Sequence, residues 1–189
     1  PRVSATRKRG KARKAGKINP PFMSADVACP GCGLAMPHRD AATYHGYYNA
    51  SPECWLVYTE ILASEYSNAV LFGQVHQLTV DSYAVQHAGG PHPDKSVDIH
   101  LCGLHLVLVE GMKAVTVPPV LQRIASAVDV WPHFVPPPHI GGITVWDVAL
   151  SKAMSDHIET VQRWARLVWE AWSEHHDAVG ELVRRLPIR

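Results

Sequence analysis

The chain has 189 residues, 47% of them hydrophobic, so it can bury one sizeable core, yet no apolar run approaches the roughly 18 residues of a membrane-spanning helix. Its formal charge of +1 averages two unlike parts: residues 1–17 hold eight Lys and Arg and no acid, while the other 10 basic and 17 acidic residues leave the body at about −7. This excludes a transmembrane helix and a uniformly basic nucleic-acid-binding body.

In chain order, residues 1–21 read as a disordered basic tail closed by Asn19-Pro20-Pro21. Arg7, Lys8, Arg9, Lys11, Arg13 and Lys14 form its cationic centre. Such an arm attracts nucleic acid or an acidic protein through charge alone, and the same composition also suits a solubilising tail. No aromatic residue interleaves with the cations, so base stacking is not indicated. The tail lacks both the apolar core of a secretory signal and the large apolar residues of an organelle presequence, and the expectation is a cytoplasmic protein. In that compartment four cysteines favour metal or thiol chemistry over disulfides.

Cys29-Pro30-Gly31-Cys32-Gly33 is a compact turn that aims two thiolates at one point, with Gly31 and Gly33 suited to positive φ. A CxxC pair also serves redox chemistry, but no βαβ pattern surrounds this one, and nearby Cys54 favours a metal. Ser51-Pro52-Glu53-Cys54 is a helix start: Ser51 as N-cap, Pro52 at the first position and Glu53 at the positive end of the dipole. Cys54 in that first turn is biased toward the thiolate a metal requires.

This first helix is expected to reach about Ala69, burying Trp55, Tyr58, Leu62 and Tyr66. A second, from about Gln74 to Ala88, holds His76, Val80, Tyr83 and His87 on one face and stops at Gly89-Gly90-Pro91. Asp94 or Ser96 caps a third through Glu110, with Gly111 as its C-terminal cap. A short helix over Pro119–Val128 precedes the proline-rich connector Trp131–His139. Thr144 and Asp147 start a further helix, and after a capping box of Asp156 and Glu159 the last runs over about 157–186 with Val161, Trp164, Val168 and Trp172 buried. With no convincing strand, the fold class is all-α: a helical bundle with an N-terminal CxxC zinc-knuckle-like turn. Its parts are a basic tail (1–21), a metal-binding helical core (22–112), a connector with a short helix (113–143) and C-terminal helices packed on the core (144–189).

CPGCG at 29–33, SPECW at 51–55, HQLTVDSYAVQH at 76–87 and SVDIHLCGL at 96–104, in that order, resemble an uncharacterised bacterial family known only as a domain of unknown function. The resemblance covers about residues 27–111 and implies no particular reaction.

Short connections make consecutive helices antiparallel neighbours. Cys54 opens the first helix, His87 closes the second at the same end, and His100 lies early in the third. The expected site is therefore Cys29, Cys32 and Cys54 with His87 or His100 as fourth ligand, a thiolate-rich set that favours zinc. His87 is equally suited to pairing with the helix dipole as a C-terminal cation, and His100 to a place in the core. His76, some 16 Å from His87 along a helix, cannot share its ion. Asp81 and Gln86 are candidates to orient a ligating imidazole.

Three functions compete: a structural-zinc binding or regulatory module, a metal-dependent enzyme with water at one ligand position, and a nucleic-acid or ribonucleoprotein accessory acting through the tail. No phosphate loop, nucleophile elbow or dinucleotide fingerprint appears.

Overall fold

The computed structural model describes residues 26–39, 44, 46–138, 140 and 142–185. The basic tail, His45 and His139 lie outside the described residues. The elements are β1 (Val27–Ala28), β2 (Ala35–Met36), α1 (Pro52–Tyr66), α2 (Ala69–Gln74), α3 (His76–Gln86), α4 (Asp94–Leu108), α5 (Pro118–Ala127), α6 (Val145–Ala149), α7 (Met154–Ala171) and α8 (His176–Arg184), with short 3-10 turns at Ala114–Thr116 and Ser173–His175. The fold is helical, as the periodicity predicts. Among the described residues the one addition is an antiparallel ladder pairing Val27 with Met36 and Ala28 with Ala35, too short to leave an alternating pattern.

At the centre is α3, which packs against α4, α7 and α1. Nine of its eleven residues are buried, polar ones included, so it has no solvated face. The buried stripe of α4 is Val97, Leu101 and Leu104, while Val161, Trp164, Val168 and Trp172 seal the other side of α3.

Helix boundaries and one buried face differ from expectation, in three places. The segment before α3 is a separate helix, because Asn68 stops α1 and caps α2 by accepting from the backbone N–H groups of Val70 and Leu71. The buried face of α1 is Cys54, Val57, Tyr58, Ile61 and Glu65, leaving Tyr66 66% exposed, because Cys54 must face inward. The capping box forms at Thr144 and Asp147; α7 begins at Met154, so Asp156 lies inside its first turn, and the helix ends at Ala171.

Proline-rich residues 131–138 form neither helix nor strand. Gln86 fastens the segment that follows: its amide nitrogen donates to the carbonyls of Ile140 (3.0 Å) and Ile143 (2.8 Å), and its oxygen accepts from the Trp164 indole (3.2 Å).

Candidate metal centre

Four side chains from three parts of the chain meet in one buried place. Cys29 and Cys32 come from the turn between β1 and β2. There Gly33 N–H donates to the Cys29 carbonyl and Cys29 N–H to Leu34, each at 2.8 Å, with Gly33 at φ +74°. Gly31 does not have positive φ; it is glycine because its α-carbon is pressed against α3. Cys54 is held in the first turn of α1, where its N–H donates to the Ser51 cap at 3.2 Å. Beside it, buried Glu53 accepts from His38 Nδ1 (2.8 Å) and Arg39 N–H (3.2 Å), tying the chain after β2 to the start of α1. His87 is the C-cap of α3, and its carbonyl accepts from Asn49 N–H at 3.0 Å.

The sulfurs of Cys29, Cys32 and Cys54 and a ring nitrogen of His87 all lie within 4.8 Å of one another, and all four residues are buried. This Cys3His group is close enough to hold one metal ion, and among the described residues no other group of His, Cys, Asp and Glu meets that geometry. Cys32 and Cys54 sulfurs are 3.8 Å apart, far too long for a disulfide. His87 Nε2 is 3.4 Å from Cys54 Sγ. Its Nδ1 donates to the Tyr83 carbonyl at 2.8 Å, which turns Nε2 toward the sulfurs. Ser51 N–H donates to Cys29 Sγ at 3.4 Å.

The electrostatics mark these four residues as one strongly interacting group. Hydrogen bonding from Cys32 and Cys54 pushes the Cys29 thiol far below its usual range, while hydrogen bonds to Cys29 and Cys32 push Cys54 far above. Burial alone would lower the His87 pKa; its hydrogen bonds to Cys29 and Cys32 and their charge reverse this and raise it to about 9. Aromatic rings wall the group off: Tyr83 stacks on Tyr58 with centroids 3.8 Å apart and on His87 at 4.0 Å.

Other sequence candidates go elsewhere. His100 does not join the group: its Nδ1 donates to Asp81 Oδ1 at 2.7 Å. His100 lies six residues after the start of α4 and Asp81 six residues before His87, so antiparallel packing sets them opposite each other, about 9 Å from the end where the sulfurs meet. Asp81 thus orients an imidazole, but a different one, and the Gln86 side chain holds the 140–143 segment; the His87 ring meets Cys54 and the Tyr83 carbonyl instead. The backbone carbonyl of Tyr83 orients His87, and no sequence pattern marks a carbonyl.

A second polar cluster at the opposite end of α3 has its centre at Glu65, which sequence reasoning missed. Glu65 is fully buried and accepts from His157 Nε2 (2.8 Å), His76 Nδ1 (2.9 Å) and Thr79 Oγ1 (2.6 Å), joining α1, α3 and α7. The available signal was its spacing of four and seven from Ile61 and Tyr58, on the apolar stripe. His157 also begins a His-x-Glu triplet with Glu159, the pairing zinc deaminases use, but it lies in this cluster and not with the sulfurs.

No curated protein and no solved structure matches the chain. A model described as a family of unknown function, DUF5946, matches residues 27–173. That span holds all four residues of the Cys3His group, the Glu65 cluster and α7, and the chain belongs to this family.

Proposed function

We propose that the protein is a zinc-stabilised helical binding or regulatory module, in which one zinc ion bound by Cys29, Cys32, Cys54 and His87 joins the N-terminal turn to the start of α1 and the end of α3. One observation carries this reading. Tetrahedral zinc with Zn–S of about 2.3 Å and Zn–N of about 2.05 Å needs S···S near 3.8 Å and S···N near 3.6 Å. The Cys32–Cys54 and Cys54–His87 separations are 3.8 and 3.4 Å. Four protein ligands complete the shell, which is the arrangement of a structural ion. Free thiols are at home in a reducing compartment, which supports a cytoplasmic setting. Among the described residues no helix is long and apolar enough to cross a membrane. The cations of residues 1–17 supply an arm for an acidic partner, either nucleic acid or an acidic protein surface.

A metal-dependent enzyme is the second reading, and its support is a cavity of about 420 Å³ that Cys32 borders together with Gln86 and Asn49. It requires one of the four ligands to yield its place to water. Elemental analysis with X-ray absorption on purified protein separates the two. The module predicts about one zinc per chain, bound by three sulfurs and one nitrogen; an oxygen in the shell selects the enzyme. His87→Ala should weaken zinc retention by more than the roughly 10–100-fold that losing an outer group costs, and His100→Ala should not. A folded, metal-free protein, or equal retention in the two variants, would overturn the proposal.

A further inference from the structure

At the His76 end of α3, away from the sulfurs, a cavity of about 900 Å³ opens between α2, α4, α7 and the Ala114–Thr116 turn. Leu78 and His87 are nine residues apart, about 13 Å along the chain of α3, so this space is separate from the metal centre. Its size falls in the range of small-molecule sites. The floor is apolar: Leu78 is 3% exposed and Trp169 5%, with Val107 and Met112 beside them. Two cations, Lys113 and Arg166, stand at the rim, and neither has an ion-pair partner among the described residues. Glu170, one turn after Arg166, is the single acid of the lining.

Gly73 is the independent observation. It lies inside α2 with no positive φ, and a Cβ added to it would meet nothing within 4 Å. Neither positive φ nor close packing calls for glycine at this position, the last but one of the six-residue helix. What its missing side chain leaves is open space on the cavity wall.

We infer that this cavity binds an amphipathic organic anion: an apolar body lying on Leu78, Val107, Met112 and Trp169, with a carboxylate-like head at Arg166 and Lys113. The occupant is a free small molecule of this class. The unpaired cations select its charge and the apolar floor its body.

Calorimetry on the full-length, metal-loaded protein tests this with two probes of equal chain length, decanoate and decyltrimethylammonium. Decanoate should bind saturably at one site, at least tenfold tighter than the cation. Gly73→Leu should abolish that binding without lowering the melting temperature, since leucine is the better helix former. Arg166→Ala should weaken decanoate severalfold and should not weaken the cationic probe. Equal affinity for the two probes, no saturable decanoate binding, or full affinity in Gly73→Leu would overturn the inference. So would co-sedimentation with phosphatidylglycerol vesicles in the absence of decanoate binding, which would reassign the surface to a membrane. None of the binding readouts reports zinc content, so failure here leaves the metal reading standing.

Discussion

Gly31 and His87 touch so closely that a Cβ on Gly31 would lie 2.7 Å from His87 Cδ2 and 2.5 Å from the Asn49 carbonyl oxygen. The N-terminal turn is thus seated directly on the ring that faces the sulfurs, and the glycine is what permits the approach. Gly31→Ala should push the turn off α3 at a cost of about 1–3 kcal/mol. The expected result is zinc affinity lowered at least tenfold, read by competition with a chromophoric chelator. Undiminished affinity would mean that the turn is not pressed against α3.

Glu65 is buried, and among the described residues it pairs with histidines and with no Lys or Arg. Burial alone would raise its pKa, but hydrogen bonds from His157, then His76 and Thr79, hold it below the usual carboxylate value. The sign follows: a depressed carboxylate stabilises the fold above about pH 4.5, and the contribution disappears as pH falls through the folded-state value. Glu65→Gln should therefore cost on the order of 3 kcal/mol at neutral pH and flatten the acid limb of the melting profile. His76→Ala should also lower the melting temperature while leaving zinc bound. Zinc loss in His76→Ala would contradict the separation of the two clusters along α3.

Asp98 is fully buried, and neither carboxylate oxygen has a hydrogen-bond partner. Burial, with a smaller contribution from the Asp94 charge, raises its pKa to about 8. A carboxylate whose folded value exceeds its unfolded one keeps its proton in the folded state, so stability should decline from about pH 4 to pH 8. Asp98→Asn should remove that decline and be the more stable protein at pH 9. Thermal melts of the zinc-loaded protein across this range check it; parallel profiles for the two proteins would count against a neutral Asp98.

The eight cations of residues 1–17 have no acidic neighbours in sequence. Deleting residues 1–17 should leave the melting temperature within a degree or so and abolish salt-sensitive retention of RNA or DNA. Retention that survives deletion would move any nucleic-acid surface onto the body.

The three cysteines were legible as one group because local rules govern them: a CxxC turn carries its own geometry, and Ser51-Pro52-Glu53 places Cys54 in a first helical turn whatever the rest of the chain does. The helices were legible for the same reason, from periodicity and caps. His87 against His100 was not. Both lie near one end of an antiparallel pair, and separating them takes the register of α4 on α3, which sets His100 opposite Asp81 and leaves His87 alone beside Cys54. Register comes from the packing of many side chains at once, and no single residue announces it. Glu65 stayed hidden because a carboxylate reads as solvated until two histidines from other helices are brought to it. Gln86 and the cavity beside Gly73 are of the same kind: a side chain that pins a distant segment, and a space bounded by elements up to about a hundred residues apart, exist only once the helices have docked.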